Sequence, residues 1–262
     1  MKTNKGYRRV NWVGIYTLSF REINRFFKVY VQTVVAPVIS TLLFYLVFQL
    51  VMKRAASPFE DVSYLEFLAP GLIMMNMVQN AFANTSSSLM VSKMQGNLTD
   101  VLLAPLGPIE LTVSYMIGGI VRGLAVGVTA ILILMWFHPF HIDHFGALIL
   151  FSILGCAMLS LMGIASGIVI DKMDHISAVT NFIITPLTFL SGTFYTIDHL
   201  PQVLQNLTHV NPFFYMIDGF RYGFIGHADG YLTYGIYMLI TINIILFVSC
   251  YKMFASGYRL KY

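Results

Sequence analysis

The chain has 262 residues, of which 57% are apolar and 11% charged, with a formal net charge of +4. Its mean hydropathy is +0.72 and its pI is near 9.0. The basic balance does not indicate nucleic acid, because the cations are gathered at the two ends of the chain rather than on a patch.

Charge spacing carries the next inference. Residues 29–52, 67–92, 145–170, 176–197 and 230–251 contain no Asp, Glu, Lys or Arg, and residues 111–142 contain only Arg122. A helix needs roughly 20 apolar residues to cross about 30 Å of hydrocarbon. A soluble core helix, solvated on one face, does not go so long without a charge. Barrel strands alternate apolar and polar residues, and VVAPVISTLLFYLVFQLV (34–51) does not. The fold class expected is therefore an all-α membrane protein with six transmembrane helices. The domain plan is a cytoplasmic amphipathic segment over 1–30, a six-span domain over 31–255 and a cytoplasmic tail over 256–262. No room is left for a soluble catalytic domain.

With an even number of spans both termini share a side. Seven cations precede residue 29; with Lys93, Lys172, Lys252, Arg259 and Lys261 they make twelve on that side, against Lys53, Arg54 and Arg221 on the other. The positive-inside rule then makes the termini cytoplasmic. The first apolar run is long and lacks a small-residue cleavage site behind it, so it reads as a retained span. Cys156 and Cys250 fall within predicted spans, where a disulfide framework is not expected.

In chain order, residues 10–30 place Trp12, Ile15, Tyr16, Ser19, Ile23, Phe26, Phe27 and Tyr30 at three-and-four spacing, with Arg21, Glu22, Arg25 and Lys28 mostly off that stripe. This predicts an amphipathic helix lying flat in the headgroup region, either as an anchor or also touching a cytoplasmic partner. Span one covers about 31–52, with Pro37 near its inner end. Span two, about 65–91, carries Asn76, Gln79, Asn80, Asn84 and a Thr/Ser run. Amides at that depth serve interhelical hydrogen bonds or line a pathway.

The 92–108 loop reads SKMQGNLTDVLLAPLGP. Asn97 is placed to cap a short helix holding Asp100, Val101, Leu102 and Leu103, which Pro105 and Pro108 end. The Val-Leu-Leu patch either docks a partner or packs against its own spans. Span three, about 109–136, has Gly119, Gly123 and Gly127. Span four, about 145–170, has Gly163 and Gly167, a spacing suited to close helix packing. Arg122 needs polar company at its depth, with Asn76 and Glu66 as candidates. His138, His141, Asp143 and His144 form a polar turn with some metal-ligand character, though no metal site is assigned.

Residues 192–228 are too apolar and aromatic for a solvated loop, and their two proline-punctuated segments are too short to span. They predict short re-entrant or interfacial helices, with 197–226 forming a hydrophobic external cap over the exit of a pathway. Asp218 and Arg221, three apart, share a helical face and are expected to neutralise each other.

No GxxxxGK[ST], HExxH or GxSxG motif is present, and acids are nearly absent from the spans. A catalytic residue set is not identified. An ion-coupled transporter would place acids within a span, and a lipid-modifying enzyme would need a nucleophile or paired carboxylates. Both remain alternatives to a transporter driven from elsewhere.

The segment LSGTFYTIDHLPQVLQNLTHVNPFFYMIDGFRYGFIG (190–226) resembles the signature of ABC-2 type permeases of bacterial ABC exporters. The matching positions are Ser191, Gly192, Phe194, Tyr195, Ile197, Asp198, Leu200, Pro201, Asn211, Pro212, Tyr215, Asp218, Arg221 and Gly226. The six-span layout, Arg21-Glu22 in the N-terminal helix and the 92–108 loop extend the resemblance over nearly the whole chain. It is similar to the compact polysaccharide- and drug-export branch. The resemblance implies an inner-membrane permease with no cofactor of its own, two copies of which assemble with two ABC ATPase subunits that bind ATP and Mg. It implies that Asn97, Asp100, Val101, Leu102, Leu103 and Pro105 form the ATPase-coupling helix, with the N-terminal helix beside it. One departure is the stretch Lys93-Met94-Gln95-Gly96, where the family often has a Glu.

Overall fold

The computed structural model describes residues 10–51, 62–137, 141–197 and 200–259, and among them the chain is almost wholly helical. Helix α1 (Trp12–Phe27) starts where the Asn11 side chain accepts the Gly14 N–H at 2.9 Å. After a short break comes a π-helical turn, Val31–Val35, that runs into α2 (Ala36–Val51). The Thr33 hydroxyl donates to the Phe26 and Val29 carbonyls, adding to the backbone N–H groups that these already accept across the break.

Helix α3 (Tyr64–Met94) opens with a reciprocal capping box between Ser63 and Glu66. The short α4 (Leu98–Leu103) leads to α5 (Pro108–Phe137) and α6 (Phe145–Val169). Then α7 (Met173–Val179), a second π turn (Thr180–Ile184) and α8 (Thr185–Phe189) follow without a break. Two short helices, α9 (Gln202–Val210) and α10 (Pro212–Ile225), precede the last, α11 (Leu232–Ser256).

Among the described residues, four helical segments are long and apolar enough to cross a membrane: Val31–Val51, Pro108–Phe137, Phe145–Val169 and Leu232–Ser256. Helix α3 has the length, 31 residues, but is diluted by Asn, Ser and Thr. It tolerates them because it is the axis of the bundle, enclosed by α2, α5, α6 and α10. Its polar groups therefore meet protein. Leu68, Leu72, Val78, Ala81 and Met90 are wholly buried along it.

The closest packing is between α3 and α6, where a Cβ on Gly163 would stand 2.6 Å from the Phe82 carbonyl oxygen. On α5, a Cβ on Gly123 would stand 2.9 Å from the Met77 carbonyl oxygen. Only glycine admits these approaches. The Thr85 hydroxyl donates to the Ser160 carbonyl at 2.9 Å across the same seam.

Helix α1 advances in step with α5: the Asn11 N–H donates to Glu110, the Ser114 hydroxyl to the Ile15 carbonyl, and Glu22 packs on Gly118. Its buried face is Ile15, Leu18, Ser19, Glu22 and Phe26, while Trp12, Tyr16 and Phe27 are exposed. The apolar stripe read from the sequence is thus only partly the packed face. At 1.5 Å per residue α3 and α5 are each about 45 Å long, longer than a hydrocarbon layer, and the surplus gives α1 a protein wall to run along.

Candidate functional site

Three polar regions stand out: a groove beside α4, a belt of amides and arginines on α3, and a buried arginine under α10.

The groove lies between α1 and α4. It encloses about 780 Å³ and is lined by residues including Gly14, Leu18, Arg21, Asp100, Val101 and Pro105. The Asn11 side chain donates to the Pro105 carbonyl at 3.2 Å, so the N-terminal helix does rest against the 92–108 loop. Two expectations need correction. Asn97 does not cap α4 with its side chain, because its own backbone is already helical (φ −72°, ψ −12°); its amide donates to Gln95 instead. The Val101-Leu102-Leu103 patch is also divided. A six-residue helix turns these side chains to different sides, so Val101 is buried with Leu98 against Leu18 and Tyr115, Leu102 is partly covered, and Leu103 alone is 84% exposed.

The belt is built on Asn76, Asn80 and Asn84, whose four-residue spacing puts them on one face of α3. Each takes a partner from a different element. Asn76 donates to the Thr41 hydroxyl of α2 at 2.7 Å. Asn80 accepts from Arg122 of α5 at 2.9 Å. Asn84 accepts from Arg25 of α1 through its side chain at 3.0 Å and its backbone carbonyl at 2.7 Å. Arg122 thus finds an amide, but it is Asn80 rather than Asn76 or Glu66: Asn76 turns to Thr41, and Glu66 is engaged at the start of α3. Glu22, nearly fully buried, is held by Arg21 at 3.0 Å and Arg25 at 3.3 Å.

Sequence reasoning did not anticipate this role for Arg25. The available signal was its position on the α1 polar face opposite the amide-rich span. Lys93 was read as a loop cation, yet it is buried and donates to the Ile168 and Ile170 carbonyls at the end of α6.

The third region surrounds α10. Asn211 accepts the Phe213 N–H at 3.0 Å and donates to the Leu187 carbonyl and the Ser191 hydroxyl, and Pro212 occupies the first turn. Gly226, at φ +66°, ends the helix in a left-handed turn. Tyr215 donates to the His209 carbonyl at 3.1 Å. Phe194 stacks on Phe48, Tyr195 donates to the Phe189 carbonyl, and Pro201 caps α9. Asp198 and His138 lie outside the described residues. His144 stacks on Tyr222, while His141 and Asp143 line a small cleft with Glu66 and His227.

The expected Asp218–Arg221 pair does not form directly. The Asp218 carboxylate accepts the backbone N–H groups of Asp229 and Gly230, both at 2.9 Å. Arg221 donates to the Gly192 carbonyl, lies 3.7 Å over the Phe67 ring, and has Asp229 as its ion-pair partner at 3.9 Å. The sharp turn between α10 and α11 brings residues 229 and 230 back over the helix, where they compete for both side chains.

The bundle has the attributes of a transport pathway component: apolar outer helices, a polar axial helix, and a grooved end bearing a short exposed helix. A family profile described as ABC-2 type transporter matches residues 13–225. The chain is 36% identical to "Inner membrane transport permease YadH" of Escherichia coli K12, over 95% of this chain and 98% of that protein. The protein of the same description from Shigella flexneri matches equally. A 25% identity over 65% of this chain and 46% of the relative links it to "Probable multidrug ABC transporter permease YbhR" of Escherichia coli K12.

Proposed function

Because this chain belongs to the ABC-2 type transporter family, we propose that it is the permease subunit of an ATP-driven exporter. It moves its substrate out of the cytoplasm or the inner leaflet of a bacterial inner membrane. ATP and Mg are bound and hydrolysed by a separate ABC ATPase, and two permeases work with two ATPases. On this reading α3 and the α7–α8 segment complete six spans with the four apolar ones, and the α4 end is cytoplasmic.

The observation that carries the reading is the surface at α4. Leu103 and Met94 project, exposed, from a loop otherwise anchored through Leu98 and Val101. The groove along α1 adjoins it. An apolar protrusion on a short, firmly seated helix suits insertion into a partner's cleft. α9 and α10 form the outer cap of the exit.

Affinity purification of the chain from its native membrane is the test. It should bring down a stoichiometric ATPase, and Leu103→Asp with Leu102→Asp should lose that subunit while the permease remains inserted. If the double variant still copurifies and transports normally, α4 is not the coupling helix. A reporter fused after Tyr262 that is active only outside the cytoplasm would reverse the orientation.

A further inference from the structure

The belt on α3 contains more positive charge than its own acids neutralise. Arg21 and Arg25 share the one carboxylate of Glu22. Arg122 has no acid among its described ion pairs; its partner is the neutral Asn80, and the charged group acting on it is another cation, Arg25. An uncompensated guanidinium in an apolar setting is costly and is ordinarily paired.

Unfilled hydrogen-bonding capacity lies beside this charge. Arg122 Nε and Asn84 Nδ2 are buried donors without a hydrogen-bond partner, while Arg25 Nε faces Glu22 at 3.3 Å. Asn84 itself is fully buried. Arg25 and Arg122 hang from Asn84 and Asn80, one helical turn or about 6 Å apart on α3. Gly118 lets them converge, since a Cβ there would stand 2.7 Å from Glu22 Cβ and 3.3 Å from Asn84 Nδ2. Arg25 keeps its side chain 36% exposed, so the belt is reachable from outside the protein.

We propose that Arg25, Arg122 and Asn84 form a binding site for a phosphate-bearing anionic head group. Guanidinium forks match phosphate oxygens, and the amide supplies a third donor. The head group belongs either to a membrane phospholipid or to a soluble phosphate compound. A role for this site in transport rests on the permease reading, whereas binding itself does not.

The full chain, with its copurifying subunits, is delipidated in detergent and titrated with phosphatidylglycerol or phosphatidylcholine under native mass spectrometry. The wild type should retain phosphatidylglycerol in preference. Arg122→Gln and Arg25→Gln should each lower that retention about fivefold to tenfold, as loss of one charge-assisted contact implies. Arg122→Lys should keep most of it, and Lys28→Gln, which removes an exposed charge nearby, should change nothing. Displacement by inorganic pyrophosphate identifies a soluble phosphate group as the occupant, and its failure to displace identifies the lipid. If Arg122→Gln is not recovered as assembled protein, Arg25→Gln gives the reading. Equal retention of the two lipids, or an equal loss in Lys28→Gln, overturns the proposal.

Discussion

Two arginines, one at the α10 end of the bundle and one midway along α5, have opposite surroundings. Arg221, under α10, is enclosed: a carbonyl, an aromatic face and an acid meet it, and Asp218 beside it is satisfied by two backbone N–H groups. Arg122, on α5, has one neutral amide and no acid among its described ion pairs. The first arrangement is closed upon itself and ties α3, α10 and the turn at Gly192 together. The second is incomplete within the chain. The difference teaches that a buried cation in a membrane bundle is not by itself a sign of function; what separates the two is the acid that faces Arg221, since that residue too keeps Nε and Nη1 without a hydrogen-bond partner.

Substitutions can break this comparison. Arg221→Ala should have the largest effect, about 3–5 kcal/mol of stability, because the buried guanidinium's contacts with the Gly192 carbonyl, the Phe67 ring and Asp229 are lost together. Thermal unfolding of the detergent-solubilised protein reads it, and an unchanged midpoint would remove the strut assignment. Asp218→Ala should follow at about 2–3 kcal/mol, since two backbone donors are left without their acceptor. Arg122→Met should cost at most about 1 kcal/mol, the loss at Asn80 being offset by removal of an unpaired charge. A loss as large as that of Arg221→Ala would show that the two sites are alike. Leu103→Ala should be smallest, within about 0.5 kcal/mol, because the side chain is 84% exposed; its effect should appear only in recovery of the ATPase.

The long helices were legible because hydrocarbon imposes one requirement along their whole length. Expected span four (145–170) and observed α6 (Phe145–Val169) differ by a residue, as do expected span three and α5. The apolar stripe of α1 was legible too, and Trp12, Tyr16 and Phe27 of it stay exposed; what spacing did not show is that charged Glu22 turns inward to meet two arginines. Partner identity was less legible still. Periodicity placed Asn76, Asn80 and Asn84 on one face, but which one receives Arg122 depends on the offset between α3 and α5, and that offset is set by the close approach at Gly123 and Met77. Asp218 and Arg221 face each other electrostatically as expected, but their direct contacts go elsewhere, because the turn returning residues 229 and 230 over α10 is a long-range event that helical spacing does not contain.

The π turns at Val31–Val35 and Thr180–Ile184 have a consequence for how this chain can vary in length. Each precedes a proline by a fixed interval, Pro37 and Pro186, in the helix that follows. A π turn holds one more residue than an α turn in the same rise, and each α-helical residue adds about 100° of rotation and 1.5 Å. Deleting a single residue from either segment can therefore be absorbed by relaxing the turn to α geometry, which leaves the faces on both sides in place. The same deletion in the middle of α6 would rotate everything beyond it by about 100° and carry Gly163 and Gly167 off the α3 seam. The two π turns are the positions along these helices where the reading frame of the faces has slack.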